Sequence, residues 1–420
     1  MMEKKTLVPK LRFPEFLGAE NWREKYIENF FNVGSSKRVL QQNWTTQGIP
    51  FYRTRELVSL SKSEPFSSEI FISKSLFEEI TQKYGAPREG DFLVSGVGTL
   101  GISYLVKNGD EFYFKDGNVI WFSRKGGIIS LFFKYCFESD AIQNQILKQA
   151  SVSTVGTYTI QNAKTTKFYC PSTEKEQQKI AECLSSVDEL IAAQTRKVDA
   201  LKIHKKGLMQ QLFPREGETQ SRLRFSEFQG TGEWDETKLG NHARIQSGYS
   251  PSGFTLSSKG QYAFVKVEDL NNCAKYQLTG REFCNNSDGV VPSNSILFPK
   301  RGAAIELNKI RITATEILID TNLMALTPKD GLTSEFLYYY LSNVGLSHIA
   351  DTSTIPQINN KHIVPFDLLL PKETEQQRIA SCLSSLDTLI ILEAQKLEAL
   401  KIHKKGLMQQ LFPSPEEVEA

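Results

Sequence analysis

Glycine, histidine and cysteine are the residues whose spacing most readily marks a reactive centre, and in this chain each pattern stops short of one. Gly96-Val97-Gly98-Thr99-Leu100-Gly101 has the Gly-x-Gly-x-x-Gly spacing of a dinucleotide loop. Such a loop holds a pyrophosphate only because a helix starts beside it. Here Ile102-Ser103-Tyr104-Leu105-Val106 follows, which reads as a strand, so a glycine hairpin is expected. Phe228-Gln229-Gly230-Thr231-Gly232 has the Phe-x-Gly-x-Gly form of a methyltransferase cofactor loop. No strand leads into it, and its counterpart Phe16-Leu17-Gly18-Ala19-Glu20 loses the second glycine, which predicts a turn. There is no Pro-Pro, hence no Asn-Pro-Pro-aromatic motif for amino-group methylation, and no Gly-Lys, hence no P-loop. Five His include no His-x-x-x-His pair, and six Cys include no Cys-x-x-Cys pair. Neither a catalytic residue nor a metal site is expected. The pattern is that of a binder with free thiols in a reducing, cytoplasmic setting.

Bulk properties narrow the class of binder. A chain of 420 residues suits two or three domains, and 40% apolar residues with 26 Phe can fill their cores. No apolar run reaches membrane-spanning length, and Met1-Met2-Glu3-Lys4-Lys5 opens no signal peptide, so no membrane partner is expected. The formal charge of +2 argues against a sequence-blind polyanion binder. A small groove needs only a local cluster of cations, so nucleic acid stays open.

The elements that would position such a surface are announced by a repeat. Leu201–Pro214 and Leu400–Pro413 are identical over 14 residues, and Glu176–Pro214 matches Glu375–Pro413 at 28 of 39 positions. An apolar seam runs through the first copy at Ile180, Leu184, Val187, Ile191, Val198, Leu201, Leu208 and Leu212, with Gln194 and Lys205 as polar breaks. In the second it runs through Ile379, Leu383, Leu386, Ile390, Leu397, Leu400, Leu407 and Leu411, with Glu393 and Lys404 as breaks. Spacings that alternate between four and three are a heptad seam, narrower than the stripe of a solitary surface helix. A paired coiled coil therefore outweighs two separate amphipathic helices. Each copy starts after a proline (Pro171, Pro371) and stops at Phe-Pro. If the segment between them is compact, the end of one helix lies near the start of the other and the pair is antiparallel. Lys205 then falls close to Asp387, and Lys404 close to Asp188.

The flanking sequence repeats faintly. Leu11-Arg12-Phe13-Pro14-Glu15-Phe16 corresponds to Leu223-Arg224-Phe225-Ser226-Glu227-Phe228, and Trp22 to Trp234. Phe51–Leu57 resembles Phe264–Leu270, and Ser153-Thr154 and Ser353-Thr354 each stand 18 residues before the helix-opening proline. Between these landmarks the halves diverge into short strand-like runs (Asp91–Ser95, Ile102–Val106, Asn118–Phe122, Ser295–Phe298, Leu323–Leu326) and two helical stretches, Ile128–Gln149 and Ser334–Ile349. The expected divisions are residues 1–171, the helical segment 172–214, residues 215–371, the helical segment 372–413 and a tail 414–420. The order implies two pseudo-symmetric halves in one chain.

Two divergent domains alternating with two near-identical helices, each opening Glu-Gln-Gln-x-Ile-Ala and ending Gly-Leu-Met-Gln-Gln-Leu-Phe-Pro, resemble the specificity subunit of type I restriction–modification enzymes. Pro371-Lys372-Glu373-Thr374-Glu375-Gln376-Gln377 looks like that family's helix opening, and the first copy carries one extra residue there. The resemblance implies an α+β fold: two pseudo-symmetric globular target-recognition domains separated by two long antiparallel helices forming a coiled coil. It implies a non-catalytic subunit whose domains each read half of a bipartite, asymmetric site in double-stranded DNA. Its helices would set the spacer and dock two adenine-methyltransferase (modification) subunits, and restriction subunits would join the complex. No cofactor is expected on this chain; S-adenosylmethionine, ATP and Mg belong to the partner subunits. A coiled-coil protein scaffold that never touches DNA is the alternative.

Recognition of that kind uses cations for phosphates and Arg, Lys, Asn, Gln, Ser or Thr for base edges. In the first domain the candidates are Lys37 and Arg38 in a polar loop, and Arg53 and Arg55 in the repeated aromatic-cation motif. In the second they are Ser247 and Tyr249 in the equivalent loop, Lys266 matching Arg53, then Lys300, Arg301 and Arg311. Gly207-Leu208-Met209 and Gly406-Leu407-Met408 are candidates for contact with the modification subunits, or for packing on the neighbouring domain.

Overall fold

The structure, a computed structural model, describes residues 6–62, 64–150, 156–351 and 355–413. The tail 414–420 and the Ser153-Thr154 and Ser353-Thr354 landmarks lie outside the described residues. Each duplicated segment is one unbroken helix of 39 residues, Glu174–Leu212 and Glu373–Leu411, about 58 Å long at 1.5 Å per residue. Leu184, Val198, Leu383 and Leu397 of the seams are buried, and Ile191, Leu201, Leu208, Ile390, Leu400 and Leu407 are half-buried. The chain forms two compact units, residues 1–194 with 396–420 and residues 195–395. Each unit therefore holds the first part of one long helix and the last part of the other.

Within each unit these two parts run antiparallel, pinned by the polar seam positions. In the first unit Lys404 Nζ lies 2.7 Å from Asp188 Oδ1, and the Tyr135 hydroxyl donates to Asp188 Oδ2 at 2.8 Å. In the second, Lys205 donates to Asp387 Oδ1 at 2.5 Å and Tyr339 to Asp387 Oδ2 at 2.6 Å. Burial first, then the carboxylate partner, pushes the Tyr135 and Tyr339 hydroxyls far above the usual phenol range. Lys197 adds a 3.0 Å pair with the buried Glu393. A lysine in an apolar seam carries a desolvation cost that only a partnered carboxylate offsets, which favours this register over its neighbours.

The faint landmarks are the parts of one socket, built twice. Arg12 donates through Nε and Nη2 to both carboxylate oxygens of Glu176, at 2.8 and 2.9 Å, and Trp22 Nε1 donates to Glu176 Oε1 at 3.0 Å. Arg224, Glu375 and Trp234 repeat this at 2.8, 2.7 and 3.3 Å. The next residue of each Glu-Gln-Gln caps a neighbouring helix: Gln177 Oε1 accepts from Ile129 N, and Gln376 Oε1 from Thr333 N, both at 2.9 Å. The end of the other long helix closes the socket. Leu11 N bonds to Gln410 O and Leu223 N to Gln211 O. Phe412 packs edge-on to Trp22 at 6.4 Å, as Phe213 does to Trp234 at 6.5 Å. These aromatic contacts add directional preference to a large apolar burial. They explain the Phe-Pro ending: proline stops the helix, and phenylalanine seats its end in a core.

Short sheets surround each socket. In the first unit Trp22–Tyr26 pairs antiparallel with Lys167–Cys170, and Phe31–Gly34, Val119–Arg124, Phe92–Ser95 and Ser103–Leu105 form an antiparallel sheet. Ile49–Tyr52 and Tyr113–Phe114 are parallel neighbours in a further sheet. In the second unit Asp235–Lys238 pairs with Asp367–Leu370. Ala243–Ser247, Leu323–Pro328, Ile296–Pro299, Arg311–Thr313 and Tyr276–Gln277 follow one another in the main sheet. The helical stretch expected over Ile128–Gln149 is two helices, Ser130–Glu138 and Asp140–Ala150, because Ser139 adopts an extended backbone. Ser334–Ile349 likewise breaks at Gly345, whose φ of 86° suits glycine.

Candidate nucleic-acid interface

The glycine motifs resolve as the sequence reading expects. Phe92–Ser95 turns through Gly96–Gly101 and returns antiparallel as Ser103–Leu105, with Leu93 opposite Tyr104. Phe228–Gly232 is a turn in which the Gly232 carbonyl and the Thr231 hydroxyl accept from Arg224. It holds the socket arginine.

Several candidate cations are committed to the protein itself. Arg53 donates to Glu56 at 2.9 and 2.5 Å, Arg55 Nε donates to it at 2.7 Å, and Glu56 is buried. Burial opposes ionisation of Glu56, but these hydrogen bonds outweigh it and hold the carboxyl below its usual range. In the second unit Asp269 takes the place of Glu56: it accepts from Lys266 N at 2.9 Å and from Arg281 Nε at 2.8 Å. The Lys266 ammonium is paired with Glu282. The repeat equivalence of Arg53 and Lys266 thus has a local cause, a backbone N–H capped by a buried acid three residues on. Arg311 is spent on backbone carbonyls, those of Leu270 and Ile310.

Other cations face outward. In the first unit the loop carrying Lys37 and Arg38 is tied down by the Ser36 hydroxyl to Phe114 O and by Lys37 N to the Tyr113 hydroxyl. Lys37 lies 5.2 Å and Lys83 5.5 Å from the Tyr84 ring centre, while Lys115 lies 6.0 Å from that of Trp44. Arg38 is 73% exposed and pairs with Asp116. Cations beside the exposed Tyr84 and the half-buried Trp44 suit phosphates beside bases. Nothing local in the sequence marks Lys83 and Tyr84, which the helix Lys74–Tyr84 presents, or Lys115.

In the second unit Lys300 meets Ser247, with Tyr249 two residues beyond Ser247 and Arg301 next to Lys300. Lys300 Nζ lies 3.3 Å from Ser247 Oγ. A Cβ at Gly248 would stand 1.8 Å from the Asp320 carbonyl oxygen, so only glycine lets this strand end approach so closely. Tyr249 lies over Gly289 and is 47% exposed. Burial, and then the charge of Arg301, lowers the Lys300 ammonium below the usual lysine value. Arg301 is exposed and makes no side-chain hydrogen bond or ion pair among the described residues.

The first domain has the same backbone at this point with other side chains. Tyr158 N bonds to Gly96 O and Val97 bridges Thr157; Ile358 N bonds to Lys300 O and Arg301 bridges Gln357. Gly96-Val97-Gly98 and Lys300-Arg301-Gly302 are therefore structural equivalents. One is bare and the other doubly cationic.

The duplicated peptide divides similarly between inward and outward positions. Leu208 and Met209 pack against the core of the second unit, and Leu407 and Met408 against that of the first. Ile203 and Ile402 stand 72% and 71% exposed, and a Cβ at Gly207 or Gly406 would meet nothing within 4 Å.

The fold and these surfaces define a two-domain binding scaffold, with two matched sockets for long helices and two divergent polar faces. The family described as the type I restriction modification DNA specificity domain matches residues 19–202 and 231–401, and the chain belongs to it. It is 23% identical over 406 residues, 94% of this chain and 93% of the relative, to a Methanocaldococcus jannaschii protein assigned as the MjaX type I restriction enzyme specificity subunit. A second relative from that organism, the type I restriction enzyme MjaVIII specificity subunit, is 26% identical over 57% of this chain and 59% of its own length. Among solved structures, the type I restriction–modification S subunit from M. genitalium is similar in fold, with a TM-score of 0.57 at 17% identity over 97% of this chain and all of that one. A chain from a structure on complex assembly and conformational transition of the type I R-M system gives 0.62 at 18% identity, over 93% of this chain and 97% of that one. No helix among the described residues is long and apolar enough to cross a membrane.

Proposed function

We propose that the chain is the non-catalytic, sequence-reading subunit of a type I restriction–modification complex. Each domain reads one half of a bipartite, asymmetric site in double-stranded DNA, the long helices set the spacer, and two adenine-methyltransferase subunits dock on them. S-adenosylmethionine, ATP and Mg belong to those partners and to the restriction subunits. The observation that carries this reading is the contrast just described: the same residue types in both helix sockets, and different residues, bare in one domain and cationic in the other, at the equivalent loop. Identity at outward-facing positions such as Ile203 and Ile402 supports one kind of partner docking twice, because packing within the chain places no demand on them.

A gel shift of the chain with its modification subunits against random duplex, at two salt concentrations, tests the DNA part. Binding is expected to weaken steeply with salt, as phosphate contacts release counterions. Binding that never appears at either salt leaves a protein-only scaffold. Ile203→Asp with Ile402→Asp should remove the modification subunits from the complex on size exclusion without loss of helicity. An unchanged complex would place docking elsewhere.

A further inference from the structure

The two domains offer different chemistry at one shared backbone position, and a phosphate contact gives no reason for that difference. Phosphates are the same in every sequence, whereas base edges are not. The position is well fixed: Lys300 N bonds to Asn322 O at 2.7 Å, Ile358 N to Lys300 O at 2.9 Å and Gly302 N to Pro356 O at 3.0 Å. A held backbone carrying an unheld guanidinium can meet a flat partner at little further ordering cost. Among the four arginines of residues 235–371, Arg281 and Arg311 are spent on Asp269, Glu268 and backbone carbonyls, while Arg244 and Arg301 have no such partner among the described residues; of these two only Arg301 stands in the fixed loop. Its surroundings (Ser247, Asn322, Gln357) can donate and accept, as base edges require. At the equivalent place Val97, flanked by two glycines, has no side-chain donor.

We infer that Arg301 is a base-reading, specificity-determining residue that selects a guanine in the half-site of the second domain, and that the equivalent Gly96-Val97-Gly98 of the first domain reads no base by side-chain hydrogen bonds. This rests on the DNA-recognition reading above. A planar guanidinium pairs its two N–H donors with guanine O6 and N7 in the major groove, and no other base presents that pair of acceptors. Losing such a contact costs roughly 5- to 150-fold in discrimination at one base.

Methylome sequencing of cells carrying the complete system with the wild-type chain, Arg301→Ala or Arg301→Lys tests it. The wild-type motif should contain a guanine that becomes degenerate with Arg301→Ala, in one half only, while the other half and the spacer stay unchanged. Arg301→Lys keeps the charge and loses the planar fork, so it should relax the same position. An intact motif methylated less often with Arg301→Ala, together with a full return to wild-type methylation with Arg301→Lys, would make Arg301 a phosphate contact and overturn the inference while leaving the DNA reading standing. If Arg301→Ala fails to accumulate, Arg301→Gln decides, because lysine can still donate to guanine whereas glutamine pairs with adenine: a motif that keeps its guanine with Arg301→Gln refutes the proposal. A wild-type system that methylates no bipartite motif, with no salt-dependent binding of duplex, would remove the DNA reading itself.

Discussion

The two sockets and the two post-strand loops each occur once per unit, yet the copies match to very different degrees. Arg12–Glu176–Trp22 and Arg224–Glu375–Trp234 keep the same atoms in contact, to within a few tenths of an ångström. Gly96-Val97-Gly98 and Lys300-Arg301-Gly302 keep only the backbone bridge. A socket answers to the chain's own helix, which is the same both times, so a change on one side must be matched on the other. A loop at the surface answers to nothing inside the molecule. Divergence there is cheap for the fold and open to an outside partner.

The sharpest way to break this contrast is to empty a socket. Glu176→Ala or Glu375→Ala leaves a buried guanidinium uncompensated and should cost about 3–5 kcal/mol each, read by urea unfolding of the full chain through Trp22 and Trp234 fluorescence. If one variant is nearly neutral, the two sockets are not equivalent. The seam lysines come next: Lys205→Ala or Lys404→Ala should cost about 1–2 kcal/mol, since Asp387 and Asp188 keep their tyrosine donors. A double variant whose loss far exceeds the sum would mean that the seams are energetically linked. The smallest effect belongs to the loop, where Arg301→Val, copying the first domain, should change stability by less than about 0.5 kcal/mol. A loss of socket size would show Arg301 to be structural after all.

Much of this was legible in the sequence where residues act through period or reciprocity. The heptad rhythm locates both long helices, and their polar breaks identify Lys205–Asp387, 182 residues apart, and the more distant Lys404–Asp188. The Leu-Arg-Phe motif and Trp22 were visible as repeats, but their purpose was not, because Glu176 lies over 150 residues away and nothing local reveals the pair. Arg53 and Lys266 were singled out by their equivalence, and that signal came from the capping acids Glu56 and Asp269. The equivalence of Gly96–Gly98 with Lys300–Gly302 left one trace in residue type, the left-handed glycine Gly98 or Gly302, with φ of 80° and 77°. The rest is carried by backbone hydrogen bonds.

The way each socket closes also sets an order of events during synthesis. Trp22 and Phe132 lie in the core of the first unit, and Phe412 packs on both. That core stays open at one side until residue 412 has left the ribosome, nearly four hundred residues after Trp22 did. The second unit needs only residues 195–395, so it can close while the first still waits. Long-range closure of this kind is slow and leaves apolar surface exposed for as long as it lasts. The domain translated first is the one finished last.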